Sequence, residues 1–149
     1  MNNRNLIAGL AIAGAGVAVA AWLTLTPENQ DLAAPAPEIS PASTALVNVR
    51  LPEELSPEAQ LGKFGFEAKC AACHGTNAAG QDGVAPPLVH KIYEPSHHGD
   101  ESFWRATQLG VRAHHWRFGN MPPVEGLTRS DVRAIVTYIR ELQRANGIG

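Results

Sequence analysis

The residues in this sequence best suited to chemistry are a pair of cysteines and the histidine that follows them. Cys70, Cys73 and His74 form a C-x-x-C-H motif, and the chain has no other cysteine. This spacing is typical of covalent haem attachment, in which the two thiols add to the haem vinyl groups. The histidine then lies beneath the iron, where its imidazole nitrogen becomes an axial ligand. The motif therefore predicts one covalently bound haem c.

The same cysteine pair also suits a redox dithiol or half of a zinc site, but the rest of the chain favours neither. A thioredoxin-like dithiol belongs to an α/β domain, whereas here the motif follows a predicted helix and no convincing alternating strand is visible. A structural zinc site takes four protein ligands, and there is no second cysteine pair. Haem attachment is the interpretation that remains best supported.

Met121 is the candidate for the second axial ligand of the iron. Apart from Met1 it is the only methionine, and it lies in the segment Gly-Asn-Met-Pro-Pro, residues 119–123. The two prolines stiffen this irregular segment. Histidine and methionine together form the ligand pair of electron-transfer haems, and methionine raises the reduction potential. The alternative is a core methionine that fills a packing gap.

Five of the six histidines fall within residues 90–116 and have no obvious part in holding a haem. They are His90, His97, His98, His114 and His115. Imidazole suits copper and zinc, so one hypothesis is a second metal site, most plausibly for copper. The other is that they are surface imidazoles, some of them bonded to haem propionates or to a partner protein. A predicted helix over 100–113 would separate His97 and His98 from His114 and His115 by roughly 20 Å. A single site that uses all five histidines is therefore not expected.

Residues just before Met121 are candidate partners for the haem propionates. Arg112, Trp116 and Arg117 carry N–H groups that can donate to these half-buried carboxylates, whose negative charge needs partners. The alternative is that the arginines are solvated and the tryptophan is simply packed. Another hypothesis is that His114 or His115, rather than Met121, is the second axial ligand of the iron. It would leave the Met-Pro-Pro segment without a purpose.

Three helices are predicted to position these residues in a small, all-α domain. The first begins at Ser56-Pro57-Glu58, with serine as N-cap and proline at the first helical position, and extends to about Lys69. The second begins with Asp100 as N-cap and extends to about Ala113. The glycine- and proline-rich stretch 75–95 between them is predicted to be mostly loop.

The last helix has the clearest pattern in the sequence. Thr128 caps it, Asp131 completes a weaker form of the capping box, and Asn146-Gly147 ends it. Its apolar residues fall on one face, at Val132, Ile135, Val136, Ile139 and Leu142. A crevice around the haem is predicted to be lined by Phe66, Leu88, Phe103, Leu109 and Ile135.

The first 26 residues are predicted to be a membrane anchor or a signal peptide. Residues 6–25 carry no charge, and a helix of this length spans roughly 30 Å, the thickness of a bilayer core. Arg4 precedes the span and acidic residues follow it, which places the rest of the chain outside the cytoplasm. Ala18-Val19-Ala20 resembles a signal-peptidase site, so cleaved export to the periplasm is the alternative.

Residues 27–55 are rich in proline and alanine and are predicted to form an extended linker, which leaves 56–149 as the haem domain. The domain has ten Lys or Arg against nine Asp or Glu, and the whole chain has a net charge of −2. No basic tract indicates nucleic-acid binding.

The sequence resembles the class I cytochrome c family of small bacterial electron carriers over residues 57–145. Gly62 and Phe66 are similar to the family's first-helix pair, and Tyr138 is similar to the aromatic residue of the last helix that packs against that glycine. The resemblance implies three to four helices wrapped round one covalent haem, and the histidine-rich stretch departs from the family's common pattern.

Two further segments carry the resemblance. Pro86-Pro87-Leu88 is similar to the family's P-x-L segment, which implies that the carbonyl of Pro86 accepts a hydrogen bond from the outer imidazole nitrogen of His74. Pro87 is the alternative aligned residue. Met121-Pro122 is similar to the family's distal methionine loop.

The resemblance implies an electron carrier rather than an enzyme, either alone or as the cytochrome subunit of an oxidoreductase. Its iron would cycle between Fe(II) and Fe(III), and its partners would be redox proteins of the membrane or periplasm. It would work at the periplasmic side of a bacterial inner membrane, with no small-molecule substrate. The alternatives are a haem protein with a labile distal ligand, such as a peroxidase or gas sensor, and a copper-handling protein that uses the histidines.

Overall fold

The computed structural model describes residues 45–149, in which four helices surround one hydrophobic core. The helices are α1 (Pro57–Lys69), α2 (Ala71–His74), α3 (Asp100–Leu109) and α4 (Arg129–Ala145), with short 3₁₀ turns at Thr76–Ala78 and Lys91–Tyr93. The described residues contain no strand, only two isolated antiparallel bridges, between Gln81 and Ala85 and between Val111 and Met121. The predicted all-α class is confirmed.

Helices α1 and α4 begin where their capping residues predict. The Ser56 hydroxyl accepts a hydrogen bond from the backbone N–H of Ala59 at 3.2 Å. At α4 the Thr128 hydroxyl accepts from the Asp131 N–H at 3.3 Å, and the Asp131 carboxylate accepts from the Thr128 N–H at 2.8 Å. The Thr128 hydroxyl also donates to this carboxylate at 2.7 Å. The two bonds that the carboxylate accepts, from the Thr128 hydroxyl and the Thr128 N–H, lower the pKa of Asp131. All five residues of the predicted apolar face of α4 are buried.

The two long helices cross with their backbones in direct contact at Gly62. A Cβ at this position would lie 1.9 Å from the backbone oxygen of Ala134. Tyr138, the aromatic residue expected beside this glycine, lies one turn beyond Ala134 on α4, and its ring packs against Phe66 with centroids 5.7 Å apart. The glycine therefore permits a backbone contact, and the aromatic pair fills the space beside it.

The helix crossing gives a first prediction, for the variant Gly62→Ala. Its methyl group would overlap a backbone carbonyl that cannot rotate away, so we expect the free energy of unfolding to fall by about 3 kcal/mol. The control is Gly65→Ala in the same helix, where a Cβ meets only the side chain of Ile135, at 3.1 Å. There the gain in helix propensity, about 1 kcal/mol, offsets the tighter contact. Denaturant unfolding of the haem-loaded protein measures the stability of both variants. Equal losses of stability would contradict a backbone contact at Gly62.

Helix α3 is shorter than predicted. It ends at Leu109 rather than near Ala113, and its N-cap is Gly99 rather than Asp100. Gly110 follows with a φ of 70°, and a Cβ there would lie 2.5 Å from the Met121 oxygen. The chain therefore turns back at this glycine and pairs with the segment that carries Met121. Of the five residues predicted to line the crevice, Leu109 lies at the end of α3 with 77% of its surface exposed, outside the protein core. The other four belong to the core: Phe66, Leu88 and Ile135 are buried, and Phe103 packs against them.

Residues 45–55, the described part of the predicted linker 27–55, lie against the domain. The N–H groups of Leu46 and Val47 donate to the Ala79 oxygen at 3.1 and 3.2 Å. Arg50 and Asn146 exchange two hydrogen bonds, at 2.9 and 2.8 Å. The prolines in residues 27–55 suggested an extended linker, whereas residues 45–55 form no helix or strand and are hydrogen-bonded to the domain.

The predicted membrane span lies outside the described residues. Among residues 45–149, no helix is both long enough and apolar enough to cross a bilayer.

Candidate cofactor site

The C-x-x-C-H motif lies on one helical turn that continues directly from α1. The N–H of Cys70 donates to the Phe66 oxygen at 2.8 Å, and the N–H of His74 donates to the Cys70 oxygen at 2.9 Å. Residues four apart on a helix share a face, so the Cys70 and His74 side chains project from the same side. Cys70 is half-buried, Cys73 is exposed and His74 is buried.

The environment of Cys70 does not suit the nucleophilic cysteine of a redox dithiol. Burial raises the pKa of the Cys70 thiol to about 11, and the neighbouring Cys73 adds to the rise. A catalytic dithiol needs a cysteine of lowered pKa, because the thiolate is the nucleophile. This observation supports haem attachment over the dithiol alternative.

The His74 ring is held by a carbonyl and presents its other nitrogen. Nδ1 lies 2.8 Å from the Pro86 oxygen, and a carbonyl only accepts, so Nδ1 carries the proton and Nε2 keeps its lone pair. Burial lowers the pKa of His74, an effect that the bond to Pro86 partly opposes. A neutral ring with an oriented, unprotonated Nε2 is the form that binds a metal. The contact is made by Pro86, as the resemblance implies, and not by Pro87.

A short loop after the motif fixes Pro86. The N–H of Gly80 donates to the His74 oxygen at 2.7 Å. A Cβ on Gly80 would lie 2.5 Å from the Pro87 nitrogen, so the two segments touch through their backbones. The Gln81 side chain donates to the carbonyls of Ala71 and Ala72, at 3.1 and 2.8 Å. Sequence reasoning did not identify Gln81, because a glutamine in a polar loop carries no signal of such a role.

Met121 lies at the base of a loop closed by backbone pairing. Val111 and Met121 exchange two hydrogen bonds, both 2.9 Å long. Just inside this pair, the Asn120 side chain accepts from the Ala113 N–H at 2.9 Å. Beyond it, the Val124 N–H donates to the Thr107 oxygen of α3 at 2.8 Å. Met121 is half-buried and its backbone is held from both sides, which the two prolines alone did not predict.

The structure brings four of the extra histidines together, which corrects the predicted separation of roughly 20 Å. Nε2 of His97 lies 3.4 Å from Nε2 of His115. One ligand nitrogen from each of His97, His98 and His115 falls within 4.8 Å of the others, and the His114 ring contacts that of His115, with centroids 4.2 Å apart. The prediction was wrong because α3 is shorter than expected and the chain reverses at Gly110.

The local environment favours the neutral form of the His115 imidazole. Partial desolvation lowers the pKa of His115, and the neighbouring His114, His98 and His97 lower it further. The fifth histidine, His90, is not part of the group.

Trp116 is the one of the three predicted propionate donors with a buried N–H. Its Nε1 is buried and has no partner of hydrogen-bonding geometry among residues 45–149. The N–H is near enough to the Tyr93 hydroxyl to offset part of the rise that burial causes in the pKa of Tyr93. Arg112 and Arg117 are exposed. A buried donor without an acceptor costs stability, so the indole N–H is suited to receive an acceptor from a bound group.

Sequence reasoning also missed a buried arginine that joins α4 to the histidine-bearing segment. Arg140 is 6% exposed and donates to the oxygens of Tyr93 at 2.6 Å and His98 at 2.5 Å. It also bonds to Asp100 at 2.9 Å and to fully buried Gln143 at 2.7 Å. Gln143 follows Ile139 by four positions and so lies on the apolar face of α4, and Arg140 lies at the edge of that face. Their polar side chains alone gave no reason to expect burial.

The arginine network gives a second prediction, for Arg140→Leu. Two backbone carbonyls would lose a charged donor, so we expect unfolding to need about 2–3 kcal/mol less free energy. The control is Arg144→Leu on the same helix, where the side chain is 61% exposed and 3.8 Å from Glu141. Such a surface change stays within about 0.5 kcal/mol. Thermal unfolding of the haem-loaded variants is the measurement, and an Arg140→Leu protein as stable as its control would refute the network's importance.

Comparison with known proteins identifies one family. Residues 59–143 match a family model described as Cytochrome c. No curated protein and no solved structure matches the chain. The matched region contains the C-x-x-C-H motif, the Pro86 segment, Met121 and the group of histidines.

Proposed function

Because the chain belongs to the cytochrome c family, whose model covers more than half of its 149 residues, we propose that it transfers single electrons through a six-coordinate haem bound by Cys70, Cys73, His74 and Met121. The family implies covalently bound haem c and a haem-based electron carrier. The single observation that carries the residue assignment is the oriented His74 ring. Its Nδ1 is committed to Pro86, which leaves Nε2 for the iron.

The attachment residues are supported by their placement on one rigid turn. Cys70 and Cys73 are the only thiols in the chain, so a doubly attached haem c has no other pair to use. His74 follows on the same turn, and the Gln81 side chain holds the carbonyls of Ala71 and Ala72 between the cysteines. A turn fixed in this way holds the two thiols and the imidazole on one short segment, which suits attachment to a single haem.

Met121 is proposed as the distal ligand because its backbone is held and its residue type fits. It is the only thioether in residues 45–149, and pairing with Val111 fixes its position in the loop. Iron with two strong protein ligands supplies a one-electron couple between Fe(II) and Fe(III) and offers no open position to substrate. Methionine at this place raises the reduction potential relative to a second histidine.

Trp116 is proposed to donate its indole N–H to a haem propionate. The support is the buried Nε1, which has no well-placed partner in the described part of the chain. A carboxylate acceptor would satisfy this donor and would itself be stabilised in its charged form.

The ligand assignment is tested by Met121→Leu, which keeps the volume of the side chain but removes the sulfur. We expect the oxidised variant to lose the methionine-to-iron charge-transfer band, to bind cyanide faster and to have a lower reduction potential, because methionine stabilises Fe(II). Optical titration and redox potentiometry of purified haem-loaded protein measure these changes. Val111→Leu is the control, because it alters the paired residue of the loop but no sulfur. A wild-type spectrum identical to that of Met121→Leu, with equally rapid cyanide binding, would favour the labile-ligand alternative, a peroxidase or gas sensor.

We also propose that the carrier works at the periplasmic face of a bacterial inner membrane, held by residues 1–26. The support is the uncharged stretch 6–25, with Arg4 before it and acidic residues after it. Its donor and acceptor would then be redox proteins of the membrane or periplasm. Tethering would raise the local concentration of the domain near such partners without any new contact.

The proposed anchor predicts where the full-length chain is found and what mass it has. Expressed with a haem-attachment system, it should sediment with the membrane, resist a carbonate wash and keep its N-terminal segment in an intact mass spectrum. A double change within the stretch, Leu10→Arg with Val17→Arg, should abolish membrane retention, because each central arginine costs about 2.5–3.5 kcal/mol. A soluble periplasmic protein that lacks the first twenty or so residues would show that the segment is a cleaved signal peptide instead.

A further inference from the structure

Two separate segments of the chain place histidine imidazoles against one another on the protein surface. His97 and His98 follow the 3₁₀ turn before α3, and His114 and His115 lie in the loop between Val111 and Met121. Nothing in the electron-transfer proposal uses these residues. Four imidazoles from segments far apart in sequence require an explanation, since neighbouring rings become costly when more than one is protonated.

The spacing of their nitrogens fits ligands of a single metal ion. Two imidazole nitrogens, each about 2.0–2.1 Å from one tetrahedral ion, lie about 3.3 Å apart. Nε2 of His97 and Nε2 of His115 are 3.4 Å apart. As a hydrogen bond between two rings this distance is long, whereas as the edge of a coordination tetrahedron it is ordinary. A nitrogen of His98 lies within 4.8 Å of both.

Two of the four rings, those of His98 and His114, are oriented by contacts on the nitrogen opposite the proposed site. Nδ1 of His98 lies 2.6 Å from the Ile92 oxygen, and Nδ1 of His114 lies 2.9 Å from the Arg112 oxygen. Each carbonyl accepts, so each Nδ1 carries the proton and each Nε2 keeps a lone pair. Metal-ligating histidines commonly have this arrangement, because the outer bond fixes the tautomer and the ring direction.

The backbone that carries these rings is held in place. The N–H groups of His97 and His98 donate to the Glu94 oxygen at 3.0 and 2.8 Å. The buried guanidinium of Arg140 donates to the His98 oxygen at 2.5 Å. The opposite segment is closed at its base by the Val111–Met121 pair. A site whose ligands are already positioned loses little conformational entropy on binding.

We propose that His97, His98 and His115 bind one divalent transition-metal ion, with Nε2 of His114 or a water molecule as a fourth ligand. Imidazole ligands suit zinc and copper(II), and the group contains neither the thiolate or thioether that copper(I) prefers nor the carboxylates that magnesium and calcium require. The site is separate from the residues proposed to hold the haem. It would join the segment before α3 to the loop that ends at Met121.

The test uses the full-length, haem-loaded protein after treatment with a chelator. Zn²⁺ and Cu²⁺ are titrated separately by calorimetry, and X-ray absorption at the zinc edge counts the nitrogen ligands. The variants are His97→Gln and His115→Gln, each tested alone and together. The matched control is His90→Gln, which removes a histidine that is outside the group and whose Nδ1 accepts from the Ile92 N–H. The haem spectrum of every variant reports whether the fold is intact.

We expect one equivalent of metal to bind to the wild-type protein. Because Cu²⁺ binds imidazole sites more tightly than Zn²⁺ in general, each variant is compared with the wild type for the same ion. Loss of a supporting contact alone weakens metal affinity by about 10–100-fold, so loss of a direct ligand in His97→Gln or His115→Gln should weaken it by about 100-fold or more. His90→Gln should bind as the wild type does.

Three results would overturn the proposal. They are no saturable uptake of either ion, an equal loss in His90→Gln, and full binding by the double variant. Because haem attachment and the Met121 band are measured on the same samples, failure of the metal site is distinguishable from failure of the electron-transfer proposal.

Discussion

Helices α1 and α4 touch backbone to backbone at Gly62, and the placement of the haem-binding motif depends on this contact. A side chain there would push Ala134 away and separate the aromatic pair of Phe66 and Tyr138. Since α1 continues directly into Cys70, any movement of α1 would be transmitted to the motif turn. Packing density leaves no room to absorb such a shift. The backbone contact at Gly62, inside the core, therefore fixes the position of the C-x-x-C-H motif at the edge of the core.

A second set of interactions fixes the other side of the molecule. Arg140 and Gln143 of α4 satisfy the carbonyls of Leu88, Tyr93 and His98. Without these donors the irregular segment between the Pro86 region and α3 would carry buried carbonyls without partners, which is costly. One helix thus holds the motif through its apolar face and the histidine-bearing segment through two polar side chains at its buried end.

Features that depend on residues close together in the sequence could be predicted, and features that depend on distant residues could not. The C-x-x-C-H spacing, the Ser56 and Thr128 caps and the apolar face of α4 are set by residues within a few positions, and the structure places the helices accordingly. The end of α3 depends on Gly110 turning back toward Met121, a contact across eleven positions that no periodicity shows. The same holds for the packing of residues 45–55 and for Arg140, whose partners lie far away in the chain.

The misplaced end of α3 has the largest consequence for function. A helix extended to Ala113 would have carried His114 and His115 away from His97 and His98, and would have left no pairing to hold Met121. The early turn at Gly110 does both things at once, because Val111 then pairs with Met121 while the loop between them returns to the earlier histidines. Met121, the proposed distal ligand, and two of the clustered imidazoles are therefore carried by one closed loop. A ligand that restrained the imidazoles would restrict the same loop that carries Met121.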